Sequence, residues 1–200
     1  MRVFIVPGHR AVTGGDFTLN DLSGSTGRLD ILLRCVNSAF FLSNGIRHDA
    51  ELYLVLLGNP DPPKTIRFVG GELRYLNPDE RSTAALVRTA LMKKCGAGWM
   101  KSTPGIYIAK KGFEDVVQEC AGRGGEIVYL KESGEDPRKA GLAGADSVFV
   151  LGDQHDLTAE EEGILARFRH RTVSLGPRSL HTDHCITIIN NELDRIAGAE

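Results

Sequence analysis

The sequence predicts an α/β fold built around a mostly parallel sheet. Three observations carry that expectation. Five short apolar runs are continuously hydrophobic instead of alternating, helical patterns separate them, and two of the runs end in Leu-Gly. Strands covered on both faces read as unbroken apolar runs, and strands alternating with helices form crossover units.

Arg2 to Val6 is the first strand. A long stretch of small and polar residues, Leu19 to Asp30, leads into a helix from about Leu29 to Ser43. Its stripe Leu29, Leu32, Leu33, Val36 and Phe40 lies on one face, and Asp30 in the first turn suits the helix dipole. Glu51 to Leu57 is the second strand; Thr65 to Leu76, with Gly70-Gly71 at its centre, reads as a hairpin. Asp79 to Lys93 is a helix with Ala84, Val87 and Leu91 inward, and Phe113 to Cys120 is another. Strands Glu126 to Leu130 and Ser147 to Leu151 follow. Thr158 to Phe168 is a helix in which Thr158 and Glu161 form a capping box. The strand Thr172 to Leu175 bends at Gly176-Pro177 before the last helix, Asp183 to Ile196. No repeat, linker or low-complexity segment interrupts the pattern, so residues 1–200 are expected to form a single domain.

Composition narrows the function classes. With 42% hydrophobic and 25% charged residues the chain has an ordinary globular balance. Its longest apolar runs, such as Leu52 to Leu57, are too short for a bilayer, and the start reads as a strand and not as a signal peptide, which points to the cytosol. Cys35, Cys95, Cys120 and Cys185 stand apart with no C-x-x-C spacing, so reduced thiols are expected, and neither a zinc ribbon nor a redox pair. Charge is segregated: residues 64–111 hold ten Lys/Arg against three Asp/Glu, whereas 112–166 hold four against thirteen. A basic block suits a polyanion, and two solvated faces of opposite sign are the plainer reading.

Ligands of parallel α/β sheets sit beyond the carboxyl ends of the strands. Three such ends carry turn chemistry here: Tyr129-Leu130-Lys131-Glu132, Leu151-Gly152-Asp153 and Leu175-Gly176-Pro177. Free peptide groups and glycines at such ends suit a flat, hydrogen-bonding ligand such as adenine; simple strand termination is the alternative. The loop before the first helix, with Arg28 and Arg34, is suited to holding an RNA backbone, although it lacks the P-loop pattern. Arg28, Asp30, Arg34, Arg47 and Asp49 equally suit mutual surface pairing. Asp21 is either a base or a turn-former, and Cys185 either a nucleophile or a small apolar wall. His181, Asp183, His184 and Cys185 are metal-ligand types, but residues so close along a helix point around it, so no metal is expected.

The segments Val148-Phe-Val-Leu-Gly-Asp153, Leu175-Gly-Pro-Arg-Ser-Leu-His-Thr-Asp-His-Cys-Ile-Thr-Ile and Phe17-Thr-Leu-Asn-Asp-Leu-Ser-Gly-Ser-Thr-Gly-Arg-Leu-Asp30, with Arg34 to Asp49, resemble the SPOUT RNA methyltransferases. Within them the likeness is to the archaeal family acting on N1 of pseudouridine 54 in tRNA. The resemblance implies a C-terminal trefoil knot, a homodimer, and S-adenosylmethionine bound in the knot. Carried over by position, the cofactor would meet Leu130, Gly152, Leu175, Gly176, Pro177, Arg178, Ser179, Leu180 and Cys185. Asp21 would take the N1 proton, and Arg28, Arg34 and Arg47 would hold tRNA phosphates. Competing readings are a ribosomal RNA pseudouridine N1-methyltransferase, a 2′-O-ribose methyltransferase of the same fold, and a non-catalytic dimer that binds structured RNA. Near-neutral charge and short length weigh for tRNA.

Overall fold

A computed structural model describes residues 1–141 and 146–198, so residues 142–145 and 199–200 of the expected domain lie outside it. The first half runs β1 (Arg2–Gly8), α1 (Leu29–Phe40), β2 (Phe41–Leu42), β3 (Gly45–Ile46), β4 (Ala50–Leu56), β5 (Lys64–Val69), a 3₁₀ turn (Gly70–Glu72) and α2 (Glu80–Leu91). The second runs β6 (Met100–Thr103), β7 (Ile106–Ala109), α3 (Phe113–Ala121), β8 (Glu126–Glu135), α4 (Pro137–Ala140), β9 (Ser147–Val150), α5 (Ala159–Leu165), β10 (His170–Val173) and α6 (Thr182–Ala197).

The main sheet has the strand order β10-β8-β9-β1-β4-β5-β7-β6. The five strands from β10 to β4 are parallel, and β5, β7 and β6 extend the sheet by antiparallel pairing. The expected α/β class is borne out. β1 and β4 are buried along their whole lengths because both faces are covered. Phe4, Val6, Leu52, Leu54 and Leu56 pack with α1, α2 and α6, while Val3, Ile5, Tyr53 and Val55 pack with α3 and α5. The stripe predicted for α1 is fully buried, and so are Ala84 and Val87 of α2. The Thr158–Glu161 capping box forms as expected. No helix is long and apolar enough to cross a membrane among the described residues.

One expected element is corrected. Residues 65–76 do not form a hairpin: β5 pairs with β4 on one side and β7 on the other, and Gly70-Gly71 begins the 3₁₀ turn. Gly70 serves close approach, since a Cβ there would lie 2.1 Å from the Arg47 carbonyl oxygen. The tight hairpin is β6–β7, turning at Gly105 with φ +78°. Met100–Thr103 is polar and half-exposed, so it lacks the apolar run that marked the other strands.

Candidate active site

The carboxyl ends of β8, β9 and β10 point the same way, and the start of α6 folds back across them. Between them opens a cavity of about 400 Å³, within the range of small-molecule sites. Leu130, Gly152, Leu175, Gly176, Arg178, Ser179, Leu180 and Cys185 all stand on its wall. Pro177 does not; it faces a separate depression beside Arg138 and Glu192.

Local sequence builds this wall. The β8–β10 pairing jumps from Thr172↔Tyr129 to Val173↔Glu135, so residues 130–134 leave the ladder and Leu130 to Glu132 line the cavity. The Ser179 hydroxyl donates to Glu132 at 2.6 Å, joining the first and third strand ends. Gly152 permits a sharp fold, since a Cβ there would lie 2.0 Å from the His155 carbonyl oxygen. The Thr182 hydroxyl reaches the carbonyls of Gly152 and Asp153 at 2.8 and 2.7 Å, seating α6 on the second strand end. Gln154, on the wall, has a buried amide oxygen with no hydrogen-bond partner. Apolar walls from Leu130, Leu151, Leu175 and Leu180, with strand-end peptide groups between, suit a flat heterocycle. The buried Gln154 oxygen is an acceptor still to be satisfied.

A buried cluster that was not singled out in the sequence holds this loop. His9, just past β1, donates its backbone N–H to Asp153 at 2.9 Å. Its ring lies 3.1 Å from Asp153 through Nδ1 and 2.9 Å from Glu161 through Nε2. Hydrogen bonds to Asp153 and then Glu161 outweigh burial and raise the imidazole pKa to about 10, so the ring is a cation with both nitrogens donating. Burial pushes Asp153 upward, but His9 and the His155 N–H reverse this and hold it below its ordinary value. Glu161 is held low in the same manner, against burial, by His9 and Thr158. The strand-end rule that selected Gly152 also applies to β1, and Gly8-His9 was the signal for it.

Cys185 is a thiol whose pKa burial, then Glu132 and Asp183, push up to about 11, which suits a wall and not a nucleophile. Asp21 is exposed, accepts the Gly24 N–H at 2.9 Å through Oδ1, and does not line the cavity. Arg28 caps α1 with φ 70°, and its guanidinium chelates Asp30 at 3.0 and 3.1 Å. Arg34 shares the same carboxylate at 3.2 Å. Two half-exposed guanidiniums share one buried carboxylate, Glu80 stands 3.9 Å from Arg34, and Asp153 adds to the field that raises the Arg28 pKa. Arg47 is elsewhere: both its terminal nitrogens bond Asp194 of α6, and its side chain is only 11% exposed. It clamps the chain after β3 to α6. His184 lies 3.8 Å from Asp183, and no group of three His, Cys, Asp or Glu is placed to hold a metal ion among the described residues.

A family model described as SAM-dependent RNA methyltransferase matches residues 1–197. A curated protein of Methanococcoides burtonii named tRNA (pseudouridine(54)-N(1))-methyltransferase is 48% identical over 195 residues, covering 98% of this chain and 96% of its own. A protein of the same name from Methanocella arvoryzae is 48% identical over 196 residues, covering 98% and 100%. Among solved structures, Archaeoglobus fulgidus Nep1 bound to S-adenosylhomocysteine superposes with a TM-score of 0.67, at 18% identity and 98% coverage of both chains. That likeness is one of fold.

Proposed function

The chain belongs to the SAM-dependent RNA methyltransferase family, and from that premise we propose that it methylates N1 of pseudouridine 54 in tRNA. The observation that carries the proposal is the single cavity enclosed by three strand ends and Cys185 in a chain whose full-length relatives bear that activity in their names.

S-adenosylmethionine fits the residues present, and when bound it supplies an electrophilic methyl on a cationic sulfur. Leu130, Gly152, Leu175 to Gly176, Arg178 to Leu180 and Cys185 would hold it. Glu132 and Asp156 on the wall have the sign that suits its positive centres. The C-glycosidic link of pseudouridine leaves N1 as an N–H, whereas N1 of uridine is already substituted. As N1 gains the methyl its proton must leave. Asp21 is the proposed acceptor: Oδ2 takes no hydrogen bond among the described residues, and the loop carrying it runs into Arg28. Arg28 and Arg34 are proposed to hold the phosphates flanking the target nucleotide. Arg47 is left out because Asp194 already occupies it.

The remaining parts of the reading are a single domain, the trefoil threading, a homodimer and a cytoplasmic location. The threading is supported by the β8–β9 connection, where Arg138 bonds Glu192 of α6 at 2.8 Å while α6 starts under Gly152 and Asp153. A dimer is supported by Leu42 on β2 and Ile196 on α6, 49% and 37% exposed; β2 pairs with β3, after which Arg47 bonds Asp194 of α6.

The test is mass spectrometry of tRNA transcripts incubated with protein and methyl donor. A gain of one methyl on transcripts carrying pseudouridine at position 54, and none on uridine-only transcripts, is expected. Methylation of uridine-only transcripts would overturn the chemistry.

A further inference from the structure

We infer that the outward face of α2, continued by Lys93 and Lys94, is a track for the RNA backbone running away from the active site. The inference rests on the proposed function for its partner, an RNA, and adds a surface remote from the reacting nucleotide.

The basic block 64–111 separates into two kinds of cation. Lys64 and Lys110 pair with Asp61, Arg67 with Glu51, and Lys111 with Glu119. Arg74, Arg81, Arg88, Lys93, Lys94 and Lys101 form no ion pair among the described residues. Among the described residues Lys111 is the one cation of the block in an ion pair with the acidic segment 112–166, so the two charge excesses do not cancel by direct pairing. Unpaired cations are also what a plain solvated face would show, so it is their alignment that points to a polyanion.

Helix geometry gathers the unpaired cations. Thr83, Ala84, Val87, Ala90 and Leu91 form the buried face of α2. Arg81, Ala85, Arg88 and Met92 follow at i, i+4, i+7 and i+11 on the opposite face, and Met92 is 72% exposed. At about 1.5 Å per residue, Arg81 and Arg88 are about 10 Å apart along the axis, and Lys93 and Lys94 follow just past the end of the helix. That is a line of charge, which a single small anion cannot use and a polyanion can.

The line starts beside the Arg28–Arg34 pair. Arg34, which shares Asp30 with Arg28, lies 3.9 Å from Glu80, the first residue of α2. At the other end, a Cβ on Gly15 would lie 2.6 Å from Met92 and 3.0 Å from the Arg88 carbonyl, so the loop after β1 rests on the helix. A nucleotide with its phosphates on Arg28 and Arg34 would therefore lead its backbone onto Arg81 and Arg88.

The experiment is tRNA binding by the full chain as a function of salt. It compares wild type with a variant carrying Arg81→Gln, Arg88→Gln, Lys93→Gln and Lys94→Gln, and with an Arg81→Lys, Arg88→Lys control. With four contacts removed at about 0.7–0.9 each, the slope of log K against log salt becomes shallower by about 3. Affinity near 0.1 M salt falls at least about tenfold. The lysine control stays near wild type, and S-adenosylhomocysteine affinity measured by calorimetry is unchanged. Unaltered tRNA affinity and slope in the quadruple variant would overturn the inference and leave the face to an acidic protein partner. If that variant loses its melting transition, Arg81→Glu alone carries the same test. Wild type that binds tRNA but transfers no methyl would sink the proposed function and leave this test standing.

Discussion

Replacing His9 with alanine leaves two carboxylates facing each other in the interior. The side chains of Asp153 and Glu161 are 2% and 7% exposed, so water cannot take over the role of the imidazolium. Moving the imidazole pKa from 6.5 to about 10 corresponds, at about 1.4 kcal/mol per unit, to at most about 5 kcal/mol of folded-state stability. Breaking a buried ion pair by removing one partner costs about 3–5 kcal/mol, the same range. His9→Ala should therefore lower the unfolding free energy at pH 6 by about 3–5 kcal/mol, and Tm by about 10 °C. Because the folded pKa is raised, this stability is fully present below the unfolded value of 6.5 and is lost as pH rises through about 10. Chemical denaturation of both proteins between pH 6 and pH 10.5 should show the gap narrowing at the alkaline end. Adding Asp153→Asn to the His9→Ala background removes one stranded charge and should recover part of the loss. A gap below about 1 kcal/mol at pH 6, or one indifferent to pH, would refute the ion-pair account.

Three further outcomes follow. Gly152→Ala places a methyl 2.0 Å from the His155 carbonyl oxygen. The loop must shift at a cost of about 1–3 kcal/mol, so calorimetry should show cofactor affinity falling about tenfold or more. Cys185→Ala removes a wall thiol with a pKa of about 11 and no nucleophilic role, so methyl transfer should stay within about tenfold of wild type. A loss of about a thousandfold or more would restore the nucleophile reading. Leu42→Glu with Ile196→Glu places charges on the proposed dimer face, and sedimentation should report monomer for the variant and dimer for wild type.

Much of the fold was legible in the chain because burial on both faces leaves its mark in composition. β1, β4, β8 and β9 were found at their starts to within one residue, and Thr158 announced α5 through chemistry local to four residues. What was missed is what has no local signature. β6 is a polar edge strand, and Gly70-Gly71 serves contact with the Arg47 carbonyl although the pair imitates a turn. The cavity was legible because strand ends in parallel sheets converge, and eight of the nine residues carried over to it stand on its wall. His9 escaped because its partners lie 144 and 152 residues away, and a single histidine after a strand looks ordinary until topology places β1 beside β9. Arg47 was expected to pair nearby or to hold phosphate, and its partner Asp194 stayed hidden for the same reason, being 147 residues further on.

The most direct measurement is a crystal structure of the protein grown with S-adenosylhomocysteine. The expected result is the adenosyl group bound among residues 130–132, 152–156 and 174–185. Density for the nucleoside at any other surface, with this cavity closed by its own side chains, would contradict it.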